Sequence, residues 1–207
     1  NKTDKKVFID RSLYYSPIAM NNRASNLSLY SKAIGTVEKL PKNAKTVRVY
    51  CHWVGHHDID LSAYVLSNDN NYTKVGWNGS ATYDRHITYS GDNTGYSNKN
   101  AEYLDININE LAGVEWIIVD ARIFRASANS FKDWRGEGVH CGWMQREFPE
   151  ANRHWLPDTV THAAKITSDS NNAYLCAIHV PTKNLVYLDV TSRGHNVSTS
   201  EDAIKMR

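Results

Sequence analysis

Apolar and polar residues alternate along this chain in short runs broken by turn residues. Residues 45–53 put Val47, Val49, Cys51 and Trp53 on one face and Thr46, Arg48, Tyr50 and His52 on the other. Side chains of a strand point to opposite faces in turn, so the pattern predicts a half-buried strand. Residues 57–65 repeat it, with Ile59, Leu61, Ala63 and Val65 on one face and Asp58, Asp60 and Ser62 on the other. Residues 102–108 do so again, with Leu104, Ile106 and Ile108 facing inward and Asp105 and Asn107 outward. The stretch 115–124 is almost continuously apolar and rich in β-branched residues, as a strand covered on both sides would be.

Further strands are predicted at 6–10, 72–77, 86–89, 138–146, 160–167, 173–180 and 185–191. Turn signals fall at 41–43, 69–71 and 91–95, and Pro181-Thr182-Lys183-Asn184 makes the last two strands a hairpin. Residues 16–26, 78–84, 125–135 and 148–157 read as loops, and 29–40 has mixed periodicity. Ser198-Thr199-Ser200-Glu201 is a capping box that opens a short C-terminal helix. About ten strands with closely spaced turns predict an all-β fold, an antiparallel β-sandwich. No interior linker or repeat divides it, so 1–207 is expected to be one domain, with its motifs within about 45–148.

Composition narrows the reading little. The 207 residues are 41% hydrophobic and 22% charged, as in ordinary globular proteins, with a net charge of +2 that gives no indication of nucleic-acid binding. Cys51, Cys141 and Cys176 are far apart and each lies in an apolar run, which predicts buried free thiols and fits a reducing compartment. No stretch reaches the roughly 18–20 apolar residues of a transmembrane helix. The chain begins at Asn1 and ends on a charged fragment, so a piece of a longer protein is expected.

The chemistry lies between Trp53 and Glu102. Asp58 and Asp60 share one face of one strand, where like charges repel and burial is costly. A hard cation with oxygen ligands would relieve that cost. Gly91-Asp92-Asn93-Thr94-Gly95 offers further oxygens on a tight turn. A second constellation is His52, His56 and His57 beside the two aspartates, a zinc-like set that could activate water. It lacks H-E-x-x-H spacing and a distinct general base; there is also no G-x-S-x-G elbow, P-loop or G-x-G-x-x-G. Trp134 and Trp155 sit among polar residues and are expected to be exposed and to anchor a partner.

These motifs resemble those of the TerD family of bacterial stress-response proteins, associated with tellurite resistance. That family carries D-[LI]-D-x-S-A, then H-x-G-D-N-x-T-G, then D-D-E before a strand. Asp58-Ile59-Asp60-Leu61-Ser62-Ala63 is similar to the first element, and Gly91-Asp92-Asn93-Thr94-Gly95 to the second with one residue fewer before the Thr. Glu102 matches the last acid, and the likeness spans about 47–146. The resemblance implies a β-sandwich that binds calcium at one rim through Asp58, Asp60, Asp92, Asn93, Thr94 and Glu102, with no catalytic role. It further implies a cytoplasmic calcium-binding or scaffold module whose partners are other protein domains or stress-response proteins. The family's paired acids are replaced here by Asn100 and Ala101, and Lys99 stands in the preceding loop, which implies a weak or partial calcium site. The alternative is a metal-free module that grips a protein or glycan with its loop aromatics; a metal-dependent hydrolase ranks last.

Overall fold

The computed structural model describes residues 32–191, except 70, 96, 127, 135–137 and 152–161. Among these residues there are twelve strands and no helix: β1 (Val37–Lys39), β2 (Thr46–Val54), β3 (Asp58–Ser67), β4 (Tyr72–Gly76), β5 (Thr82–Tyr83) and β6 (Ile87–Tyr89), followed by β7 (Lys99–Ile106), β8 (Val114–Arg125), β9 (Val139–Arg146), β10 (His162–Lys165), β11 (Asn172–His179) and β12 (Asn184–Val190). They form two six-stranded sheets, in the orders β1-β12-β11-β8-β3-β4 and β10-β9-β2-β7-β6-β5, and every strand pairing is antiparallel. The expected sandwich is therefore present. The expected first strand at 6–10 and the C-terminal helix lie outside the described residues.

The inward rows are those that alternation picks out. Ile59, Leu61, Ala63 and Val65 of β3 meet Val47, Val49, Cys51 and Trp53 of β2 in one core that also takes Leu104, Ile106, Val119 and Ile123. Burying each such aliphatic side chain contributes about 1.5–3 kcal/mol before the entropy of ordering is set against it. All three cysteines are free and buried. The hairpin at 181–183 joins β11 to β12 as predicted.

Three elements differ from the sequence reading. Strand β1 lies within a stretch of mixed periodicity and is held by pairing with β12, which its own residues do not signal. Strand β5 is a two-residue piece inside an expected loop. Strand β2 is buried on both faces rather than one. On its outer face Arg48 forms a fork with Asp105 of β7, Nε and Nη2 donating to the two carboxylate oxygens at 2.7 Å each. The guanidinium lies 3.7 Å from the centre of the Tyr103 ring, and Glu150 accepts from it at 3.0 Å. A charged side chain is tolerated there because its charge and its plane are both matched.

Candidate metal centre

Strand β3 pairs with β8 along its whole length, but its pairing with β4 begins only at Ser62. The segment 58–61 therefore has a backbone edge that no strand of its own sheet covers. The loop between β6 and β7, which belongs to the other sheet, crosses to that edge.

Glycine makes the crossing possible. Gly95 has φ +79° and passes so close to the start of β3 that a Cβ would lie 2.1 Å from the His57 carbonyl oxygen. His56 Nδ1 donates to the Gly95 carbonyl at 3.0 Å. Asn100 fastens the loop from the other side, its Nδ2 donating to the carbonyls of Gly55 at 2.8 Å and Ser97 at 2.7 Å.

This packing brings Asp58, Asp60 and Asp92 together, with one carboxylate oxygen from each within 4.8 Å of the others. Asp58 and Asp60 are 4% and 3% exposed, whereas Asp92 is open to solvent. Asp58 Oδ1 and Asp60 Oδ2 are buried with no hydrogen-bond donor. Burial pushes the Asp58 carboxyl up, Asp92 adds to the shift and Arg125 opposes it. Asp60 is pushed up to about 7, first by burial and then by Asp58 and Asp92, against the pull of Arg122 and Lys74.

Such a set suits a hard cation. Every ligand is an oxygen, two of them lack any other partner, and oxygens around one ion at about 2.4 Å lie at most about 4.8 Å apart. Among the described residues no other group of histidine, cysteine or acidic side chains converges in this way.

Of the remaining predicted ligands, Glu102 and Asn93 are engaged with the protein. Glu102 is expected among the ligands, but it is fully buried and both its oxygens hold protein donors. Oε1 accepts the Asn93 backbone N–H at 2.8 Å, and Oε2 accepts the Leu61 N–H at 2.8 Å and the Tyr89 hydroxyl at 2.7 Å. Burial drives its pKa well up while these three donors pull it down. Glu102 is thus a brace beneath the site. Asn93 is likewise spent on the loop: its Nδ2 donates to the Ala101 carbonyl at 3.3 Å and its Oδ1 accepts the Gly95 N–H at 3.1 Å. Thr94 Oγ1 is buried without a partner and remains available. Asn100 and Ala101 belong to the scaffold under the loop, so the departure at these positions leaves the three-carboxylate group whole.

The histidines do not converge. His52 stacks on His140 on the outer face of β2 and β9, with ring centres 5.1 Å apart. His56 is turned to Gly95, and His57 sets its ring against the edge of Trp134 at 4.4 Å. The expectation of an exposed Trp134 is also corrected: it is 7% exposed and part of the main core. Its N–H bonds to the Phe131 carbonyl at 3.3 Å, in a turn that buries both aromatic rings. Trp155 lies outside the described residues.

Sequence reasoning missed the cations beside the acids. Arg122 is the cross-strand partner of Asp60 and Arg125 that of Asp58, while Lys74 of β4 lies opposite Tyr64 of β3. Strand registers are not written in any local motif, so only the pairing reveals them.

No family model and no curated protein matches the chain. Among solved structures, it is similar to a protein of unknown function, SAV2460, at 12% identity with a TM-score of 0.49, covering 73% of this chain and 94% of that one. It is also similar to a homologue of the telluride resistance protein TerD, SCO6318 from Streptomyces coelicolor A3(2), at 16% identity with a TM-score of 0.52, covering 79% of this chain and 98% of that one. The two-sheet sandwich described here is thus the fold of a TerD homologue.

Proposed function

We propose that this chain is a non-enzymatic calcium-binding module of the TerD type, working in the bacterial cytoplasm as part of a stress response through contacts with other protein domains. The observation that carries the reading is the pair of buried, donor-less oxygens on Asp58 and Asp60, facing a third carboxylate on Asp92. A divalent ion supplies the charge these groups lack. The fold shared with a telluride resistance homologue supports the same assignment. Calcium is favoured over zinc because the converging ligands are carboxylates and the nearby imidazoles point elsewhere.

The test is calorimetric titration with calcium, with melting followed in parallel. An ion that prefers the folded state raises Tm. Binding with a raised Tm in the wild type, abolished in Asp92→Ala and retained in His52→Ala, whose ring stacks on His140 away from the carboxylates, is the expected result. Absence of heat and of any Tm shift at millimolar calcium would remove the reading.

A further inference from the structure

The acidic trio has an equal number of cations around it. Arg122 and Arg125 are the register partners of Asp60 and Asp58 on β8. Lys74 extends over the same face, its Nζ 5.4 Å from the centre of the Trp77 ring. The Arg122 guanidinium lies 5.7 Å from that ring. Its Nε is buried without an acceptor, and Arg125 Nη2 donates only a long hydrogen bond, 3.5 Å, to the Thr94 carbonyl. Within the described residues neither arginine forms a close ion pair with the aspartates.

Once all three carboxylates are ionised, the three cations balance them. A divalent ion on the carboxylates then leaves two positive charges in excess. Calcium takes six to eight oxygens, more than three side chains readily supply, and exposed Asp92 leaves the group open to solvent on its side. Cations placed beside a calcium site weaken it unless something negative joins them. An oxyanion that ligates the ion while accepting from a guanidinium satisfies both needs at once.

We infer that the calcium-loaded rim binds an anionic oxygen ligand, a phosphate or a carboxylate, which completes the coordination of the ion and is held by Arg122 and Arg125. The inference rests on the calcium reading above. It makes the site a conditional one: calcium and anion each strengthen the binding of the other by the same factor.

Methyl phosphate and acetate are the probes, titrated separately into the whole chain with and without saturating calcium. The expected result is a gain of about tenfold or more in affinity for at least one probe when calcium is present. The probe that gains identifies the ligand as phosphate or carboxylate. Arg125→Gln, an exposed change that spares the core, should lose much of the gain, and Arg122→Gln with Arg125→Gln nearly all of it. Both variants should bind calcium alone at least as tightly as the wild type, because a repelling charge is gone. Calcium binding with unchanged affinity for both probes overturns the inference and leaves the calcium reading standing. Failure to bind calcium at all overturns both.

Discussion

The Glu102 carboxylate on β7 accepts the backbone N–H of Leu61 on β3 at 2.8 Å, one residue past Asp60 and across the gap between the two sheets. It takes the place of the missing stretch of β4, which leaves that N–H without a strand partner. Through Asn93 the same carboxylate also holds the loop that carries Asp92. A buried acid thereby sets the spacing of two metal-ligand candidates on different sheets.

Replacing Glu102 should therefore damage stability before it damages any ligand. Glu102→Ala leaves two buried N–H groups and a hydroxyl without an acceptor, at about 1–3 kcal/mol for each unsatisfied group. A loss of about 3 kcal/mol or more in urea unfolding without metal is expected. Glu102→Gln should cost less, since one oxygen remains. A stability change near zero for the Ala variant would mean the brace is not formed.

Gly95→Ala tests the crossing point itself. The added methyl meets the backbone at His57, and the φ of +79° is unfavourable for any L side chain. The expected outcome is a loss of about 2 kcal/mol or more with calcium binding abolished. Gly113→Ala is the control: it has a similar φ of +78° and no atom within 4 Å. It should cost about 1 kcal/mol and leave calcium binding unchanged.

The raised Asp60 pKa fixes the sign of a pH effect. Its folded value, about 7, stands above the ordinary carboxylate value. Its stabilising share is therefore complete at low pH and is lost as pH rises from the ordinary carboxylate range to about 7. In chelator, Asp60→Asn should raise Tm relative to the wild type at pH 8 and have little effect near pH 4. Depressed histidines such as His52, lowered to about 3 by burial, and His140, lowered to about 4, act in the opposite direction and cancel in this difference. A calcium ion bound as proposed would have to displace the Asp60 proton, so its affinity should fall by up to about tenfold per pH unit below 7. A pH-independent calcium affinity between pH 5.5 and 7.5 would contradict this.

Trp134→Ala should cost about 3–5 kcal/mol, the range for removing a buried aromatic ring. A near-neutral change in chemical denaturation would restore Trp134 to the surface.

Much of this was legible in the sequence, and the misses have physical causes. Alternation alone sorted Ile59, Leu61, Leu104 and Ile106 into the core, and the Asp-x-Asp strand with its Gly-Asp-Asn turn marked where three carboxylates meet. Glu102 has the same parity as Leu104 and Ile106, so its inward direction was readable; its polarity concealed it. The charged neighbours of Trp134 hide its burial, which comes from the turn that joins its backbone N–H to the Phe131 carbonyl and from the core that takes both residues. The burial of Arg48 could not be foreseen, because it depends on Asp105, which the chain supplies 57 positions later and the sheet register brings alongside.

The three carboxylates are divided between the sheets, with Asp58 and Asp60 on a strand of one and Asp92 on a loop of the other. An ion held by all three is a rivet through both layers. Peeling the sheets apart would then have to break it, so a bound ion would act on the rate of opening as well as on the equilibrium. Under a pulling force, or before a protease that waits for an opened molecule, the lifetime of the folded chain would follow the surrounding calcium concentration.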